Sequence, residues 1–175
     1  MHIIFIFISI ERTNTLHIAI KVGIIKSSIN EEEWETNMIQ WESQYELGIK
    51  SIDDQHKKLI EITSHLSELL TNATNGEDIY DDMVTIIESL TQYTISHFQF
   101  EEALFHKYNY ASRDAHIEEH NKLIQEITNL DLRAIDEDQV TYGKKILKFL
   151  ISWVFKHISG SDFLYRELFI KNNVQ

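Results

Sequence analysis

No proline occurs in this chain of 175 residues, and only five of its residues are glycine. Proline breaks helices because it lacks a backbone N–H and its ring clashes with the preceding turn. From Ser51 onward, apolar residues recur at intervals of three and four, the spacing of one face of an amphipathic helix. The sequence therefore predicts long, uninterrupted helices.

Four helical segments follow from this spacing, separated by short stretches that contain turn or capping residues. Short connections between long amphipathic helices place consecutive helices antiparallel to one another. We therefore predict an all-α fold, an up-down antiparallel four-helix bundle over residues 53–172, preceded by an N-terminal arm over residues 38–52. The predicted helices run from about Asp53 to Thr71, from Asp78 to His106, from Ser112 to Ala134, and from Asp136 past His157.

The first 37 residues have a different pattern and are predicted to be an N-terminal extension outside the bundle. Isoleucine and phenylalanine are dense between Ile3 and Ile8, and an alternation typical of a strand follows between Ile18 and Ile24. The apolar run has about eight residues, whereas a membrane helix needs ~20, and no signal-peptide cleavage site follows it. We therefore expect a cytoplasmic protein with no membrane anchor.

Cysteine is absent, and 28 Asp and Glu residues outnumber 16 Lys and Arg residues. Without cysteine there can be no disulfide scaffold, thiolate zinc site or iron–sulfur cluster. The formal net charge of −12 argues against a nucleic-acid partner and against an anionic membrane surface, since both bind clusters of Lys and Arg. A metal site in this protein must therefore consist of histidines and carboxylates.

Each predicted helix carries ionisable residues on its apolar face. One such histidine could simply be hydrogen-bonded in the core, but every unpaired buried polar group costs ~1 to 3 kcal/mol. Residues four apart on a helix point in nearly the same direction, and two pairs in this set have that spacing. A shared metal centre would satisfy the whole set at once. The residues concerned are His56, His97, Glu101, His116, His120 and His157.

Asp162 follows His157 by five residues, a spacing at which two side chains of a regular helix diverge by about 140°. Gly160 lies between them. We predict that the helix is distorted there, by a π-bulge or a wide turn, so that Asp162 returns toward the centre.

The order and spacing of these residues resemble those of the hemerythrins, specifically the bacterial single-domain bacteriohemerythrins. The resemblance covers Trp41 to about Ile170, and every metal-ligand position of the family carries the expected residue type. It rests on four ordered motifs: Ile52-Asp53-x-Gln55-His56, then His97-Phe98-x-x-Glu101-Glu102, then His116-x-x-x-His120, and then Trp153-x-x-x-His157-Ile158-x-x-x-Asp162.

A non-haem di-iron centre that binds dioxygen reversibly is what this resemblance implies. One iron would be bound by His116, His120 and His157, and the other by His56 and His97. Glu101 and Asp162 would bridge both irons, with a hydroxide or oxide as the third bridge. This ligand set fills all but one of the positions around two octahedral irons, and dioxygen would bind at the open position. Imidazole and carboxylate also accept zinc, manganese or copper, so the residues alone do not fix the metal.

An oxygen carrier, store or scavenger, acting as a monomer or weak homo-oligomer, is the function we expect. Glu102 is expected to lie beside the ligands rather than among them. Family members often have Met at the position of Phe105, and we expect the aromatic ring of Phe105 to narrow the oxygen pocket. Family members also begin shortly before the position of Trp41, so Met38 is an alternative translation start. The candidates for the pocket lining are Ile52, Phe98, Leu104, Phe105, Ile124 and Trp153.

Three alternative functions remain open at this point. One is a di-iron enzyme acting on peroxide or nitric oxide, although the Glu-x-x-His pairs of ferritin-like enzymes are absent from the sequence. Another is an oxygen or redox sensing module. The third is a zinc peptidase, because His116-Ile117-Glu118-Glu119-His120 matches the inverted H-x-x-E-H pattern. That assignment needs Glu119 as a base at the metal, whereas we expect Glu119 to face away from the histidines.

Overall fold

The computed structural model describes residues 39–74 and 76–175, and the expectations for residues 1–37 and for Met38 lie outside this part of the chain. Its regular elements are all helical, so the prediction of an all-α helical bundle is confirmed. Two short 3-10 helices lie at Ser43–Tyr45 and Asp162–Leu164. The α-helices are α1 Lys50–Asn72, α2 Tyr80–Lys107, α3 Arg113–Thr128, α4 Leu132–Glu137, α5 Gln139–Ser159 and α6 Arg166–Lys171.

The four long helices α1, α2, α3 and α5 build the bundle. Helix α1 packs against α2 and α5, and α2 also packs against α3. Their apolar faces form one continuous core, which includes Leu66, Met83, Leu123 and Leu150, each at most 2% exposed. No helix in the described ranges is both long and apolar enough to cross a membrane.

Helix α1 begins earlier than the sequence predicts, at Lys50 rather than Asp53. The carboxylate of Asp53 lies in the first turn and accepts hydrogen bonds from the backbone N–H groups of Leu47 (2.8 Å), Gly48 (2.9 Å) and Ile49 (3.1 Å). Gly48 has a φ of +75°, a left-handed conformation that only glycine adopts at little cost. Asp53 thus fixes the arm to the helix instead of capping it.

Between α3 and α5 the chain contains a break that the apolar periodicity does not indicate. We predicted one helix from Ser112 to Ala134, but α3 ends at Thr128. The carboxylate of Asp131 accepts hydrogen bonds from the backbone N–H groups two and three residues later, at 3.1 and 3.2 Å, and so starts the short helix α4. Asp138 caps α5 in the same way, so that helix does not begin at Asp136.

Close contact between α5 and the first two helices depends on Gly143. A Cβ atom at this position would lie 2.5 Å from Leu70 Cδ2 and 2.9 Å from Met83 Sδ, which is closer than carbon and sulfur atoms pack. The backbone of α5 therefore approaches α1 and α2 closely at the end of the bundle where Leu70 lies.

Candidate metal centre

All seven predicted ligand positions meet in one buried cluster inside the bundle. Each of these residues is at most 5% exposed. The four long helices and the 3-10 helix after α5 all contribute to it. The members are His56 from α1, His97 and Glu101 from α2, His116 and His120 from α3, His157 from α5, and Asp162 from the 3-10 helix.

Three of the histidines form the first half of the cluster. His157 Nε2 lies 3.0 Å from His116 Nε2 and 3.2 Å from His120 Nε2. Asp162 Oδ1 lies 3.2 Å from the Nε2 atoms of both His116 and His157. Glu101 Oε2 lies 3.4 Å from His120 Nε2. Five donor atoms thus converge on one small volume.

The other two histidines form the second half, which shares the same two carboxylates. Asp162 Oδ2 lies 3.2 Å from His56 Nε2, so the two oxygens of this carboxylate face different halves. Glu101 Oε1 lies 3.9 Å from His56 Nε2, and Glu101 Oε2 lies 3.7 Å from His97 Nε2. Both carboxylates therefore occupy the bridging position between the two groups of histidines.

Asp162 reaches the cluster because α5 ends at Ser159, two residues after His157. Gly160 has φ −113° and ψ −81°, and a Cβ atom there would lie 2.8 Å from the carbonyl oxygen of Lys156. The chain then enters the 3-10 helix that begins at Asp162. The predicted distortion is confirmed, although it is a helix end followed by a 3-10 turn and not a π-bulge.

Outer ring nitrogens of three histidines contact side chains outside the cluster. His97 Nδ1 lies 3.0 Å from Gln55 Oε1, and His120 Nδ1 lies 2.9 Å from Glu102 Oε1. An acceptor at Nδ1 holds the proton there and leaves Nε2 free to bind a metal ion. Glu102 thus lies beside the cluster as predicted, while the part played by Gln55 was missed.

Our expectation that Glu119 faces away from the histidines is wrong. Its Oε2 atom lies 3.2 Å from His157 Nδ1, and the hydroxyl of Ser161 donates to the same oxygen at 2.6 Å. This contact is made to the outer side of the imidazole ring, opposite the Nε2 atom that faces the cluster. Glu119 therefore orients His157 and is not placed as a base at the metal, which argues against the zinc peptidase alternative.

Tyr165 is a further contact of the cluster that the sequence did not reveal. It is completely buried, and its hydroxyl donates a hydrogen bond to Glu101 Oε1. Burial and the nearby carboxylates of Asp162 and Glu101 raise the pKa of Tyr165 well above its ordinary value, so it remains a donor. The only available signal was its spacing, one turn after Asp162.

Burial and charge shift the pKa values within the cluster in opposite directions. Burial lowers the pKa of His97 and of His120 to about 4. Burial also acts to lower the pKa of His157, but the charge of Asp162 and the contacts with Asp162 and Glu119 outweigh it and raise that pKa to about 10. His97 and His120 are therefore neutral at pH 7, the form that binds a metal ion.

Several polar atoms at the centre of the cluster are buried without a hydrogen-bond partner among the described residues. They lie close to one another but lack hydrogen-bond geometry. Such atoms are rare in folded proteins because each loses its hydration without replacement. A bound cation would satisfy all of them, so the residues present fit a metal centre. The atoms are His56 Nε2, Glu101 Oε2, Asp162 Oδ1 and Asp162 Oδ2.

A small cavity borders the cluster, where it reaches both histidines of the second half, His56 and His97, and one histidine of the first half, His157. Its volume is about 10 Å³, close to the lower limit for one water molecule. Of the predicted lining residues, only Phe98 and Trp153 border it. Phe105 instead packs on the other half of the cluster, with its ring 4.8 Å from that of His116, so it does not narrow this cavity. The remaining lining side chains are Leu59, Thr94, Leu123, Val154 and Ile158.

Five histidines and two carboxylates that converge in the core of a helical bundle are the features of a metal-binding helical protein. The family model described as the hemerythrin HHE cation binding domain matches residues 47–169. This protein therefore belongs to the hemerythrin HHE family, and it is a cation-binding protein of the hemerythrin type.

Individual relatives extend over nearly the same segment. A bacteriohemerythrin from Clostridium acetobutylicum is 35% identical over 125 residues, which is 71% of this chain and 96% of the relative. A bacteriohemerythrin from Stenotrophomonas maltophilia is 30% identical over 133 residues, covering 74% of this chain and 80% of the relative. A hemerythrin-like protein from Naegleria gruberi is 28% identical over 126 residues, covering 72% and 89%.

Proposed function

We propose that this protein binds dioxygen reversibly at a non-haem di-iron centre and acts as an oxygen carrier, store or scavenger. The convergence of five histidine Nε2 atoms on two shared carboxylates is the observation that carries the proposal. It acts in the cytoplasm as a monomer or weak homo-oligomer and has no catalytic reaction of its own. Its ligand-binding residues are His56, His97, Glu101, His116, His120, His157 and Asp162.

In this proposal each half of the cluster holds one iron. His116, His120 and His157 bind the first iron, and His56 and His97 bind the second. The carboxylates of Glu101 and Asp162 would serve both positions, because each carboxylate contacts histidines of both halves.

Donor number favours an ion that accepts more than four ligands, such as six-coordinate iron, over tetrahedral zinc. Five protein donor atoms surround the first position, whereas a structural zinc site takes about four.

The second position has fewer protein donors and lies beside the cavity. His56 and His97 supply its two nitrogens, and the cavity walls are mainly hydrocarbon and aromatic side chains. Two ferrous ions, when bound, would supply the electrons that make dioxygen binding reversible. The chain's own contribution is to admit only a small molecule and to keep bulk water and protons away from it, because the apolar walls offer water few hydrogen bonds.

Iron content and visible absorption test this proposal together. Purified protein is expected to contain about two irons per chain and to show an absorption band that forms with oxygen and disappears on degassing. The variant His120→Ala should lose both iron and band. The matched control His65→Ala changes an exposed histidine of α1 and should keep both. Zinc in place of iron, or a band that never reverses, would contradict the proposal.

A further inference from the structure

Thr94 lies on α2 one helical turn before His97 and borders the cavity beside the cluster. It is only 4% exposed. The other residues that border the cavity carry imidazole, indole or hydrocarbon side chains, so Thr94 contributes its one hydroxyl group.

The hydroxyl of Thr94 differs from those of five other helical threonines in the described residues, although Thr141, in the first turn of α5, resembles it. A threonine inside a helix commonly donates to the carbonyl oxygen four residues earlier. Thr94 makes no such bond, nor any other hydrogen bond with the residues that the structure describes. The threonines that do bond in this way are Thr63, Thr71, Thr85, Thr91 and Thr128, at 2.7 to 2.8 Å.

The hydroxyl oxygen of Thr94 is not among the fully inaccessible polar atoms that lack a partner, so a water-sized probe still reaches it. A hydroxyl that has no partner in the protein but borders a cavity can bond to a molecule held there. At Thr94 the partner can come from whatever occupies the cavity. The same cavity reaches His56 and His97, which in the proposed function bind the iron with the open position. An anionic ligand held there would carry negative charge, and so would a ligand to which bound irons supply electrons. Hydrogen bonds to charged acceptors are stronger than those to neutral ones.

We propose that the Thr94 hydroxyl donates a hydrogen bond to the small ligand in this cavity and thereby favours ligands with a negatively charged acceptor atom over apolar ones. This inference rests on the proposed function, since it takes the cavity to be the place where the exogenous ligand binds. Thr94 then affects ligand preference in a pocket whose other walls, apart from its histidines, are hydrocarbon and aromatic side chains.

Stability of the iron-free protein tests whether the hydroxyl lacks a partner within the protein. Thr94→Val replaces the hydroxyl by a methyl group of similar size, and the melting temperature should stay unchanged or rise. Thr63→Val is the matched control, because Thr63 is 2% exposed and donates to the carbonyl oxygen of Leu59 at 2.8 Å. That control should lower the melting temperature. An equal loss in Thr94→Val would overturn the inference.

Azide binding to the oxidised, iron-loaded protein tests the ligand contact directly. Azide is a small anion, and its binding can be followed by visible absorption. Thr94→Val should weaken azide binding about 10-fold, the effect of losing one hydrogen bond to a charged acceptor. Thr94→Ser keeps the hydroxyl and should bind azide within about 3-fold of the wild type.

The outcomes separate this inference from the proposed function. An iron-loaded protein that binds oxygen reversibly, but whose azide affinity is unchanged by Thr94→Val, would overturn only the role of Thr94. A wild-type protein that takes up no iron would overturn the proposed function and this inference with it.

Discussion

Asp162 Oδ1 lies 3.2 Å from His157 Nε2, although five residues of regular helix would turn these side chains away from each other. The end of α5 at Ser159 makes this contact possible. The two oxygens of Asp162 face different halves of the cluster. The position of this helix end therefore determines whether the two halves share the Asp162 carboxylate.

Gly160→Ala should disturb this arrangement. The added Cβ atom would lie 2.8 Å from the carbonyl oxygen of Lys156, so the backbone must shift between His157 and Asp162. We expect the protein to lose roughly 1 to 3 kcal/mol of stability, the usual cost of overpacking, and to bind less than the wild-type amount of iron. Urea denaturation and iron analysis measure the two effects. Ser159→Ala changes an exposed residue one position earlier and should alter neither the stability nor the iron content. Full iron content in Gly160→Ala would contradict the described geometry of the helix end.

Tyr165→Phe should weaken iron retention without removing a ligand. The variant loses the hydrogen bond from the tyrosine hydroxyl to Glu101, which orients a bridging carboxylate. Changes to such supporting contacts typically reduce metal affinity by about 10- to 100-fold. Iron loss to a chelator, followed by the decay of visible absorption, gives the measurement. Tyr142→Phe alters a partly exposed tyrosine remote from the cluster and should leave the rate unchanged.

Asp53→Asn should detach the N-terminal arm from α1. The Asp53 carboxylate accepts three backbone hydrogen bonds, and an amide that carries its own N–H groups cannot accept all of them. A loss of roughly 1 to 3 kcal/mol is expected in urea denaturation, because buried donors lose their acceptor. Asp54→Asn removes only an exposed ion pair with Lys50 and should cost about 0 to 1 kcal/mol. If Asp53→Asn and Asp54→Asn lowered the free energy of unfolding equally, the hydrogen bonds between Asp53 and the arm would contribute nothing to stability.

The all-helical fold and six of the seven cluster positions were predictable because they depend on periodicity, whereas Asp162 depends on the end of α5 at Ser159. His97 and Glu101, or His116 and His120, share a helix face wherever the helix lies. Helix ends were less predictable, since Asp131 and Asp138 compete with neighbouring Asp and Asn residues as caps, and only the packed structure shows which residues cap.

Contacts around the cluster were the least predictable part of the site. The sequence places Glu119 on the same helix as His116, but it cannot show that the outer nitrogen of His157, on another helix, comes within 3.2 Å of that carboxylate. Tyr165 and Thr94 likewise gained a role only from long-range packing. Phe105 was assigned to the wrong side of the cluster, because its distance along α2 from His97 says nothing about which half it faces.

Removal of the metal should destabilise the bundle. Without a cation, four buried nitrogen and oxygen atoms of His56, Glu101 and Asp162 have no hydrogen-bond partner among the described residues. At a free iron concentration 100-fold above its dissociation constant, binding stabilises the fold by ~2.7 kcal/mol. A chelator should therefore lower the melting temperature by about 10 °C. The same chelator should not change the melting temperature of His120→Ala, which is expected to be iron-free. A wild-type melting temperature that the chelator leaves unchanged would exclude a structural contribution from the metal.

Anomalous X-ray scattering at the iron absorption edge tests the central claim most directly. Crystals of the iron-loaded protein should show two anomalous peaks within the cluster. One peak should lie against the Nε2 atoms of His116, His120 and His157, the other against those of His56 and His97, and Glu101 and Asp162 should contact both. A single peak, or peaks outside these seven side chains, would contradict the di-iron assignment.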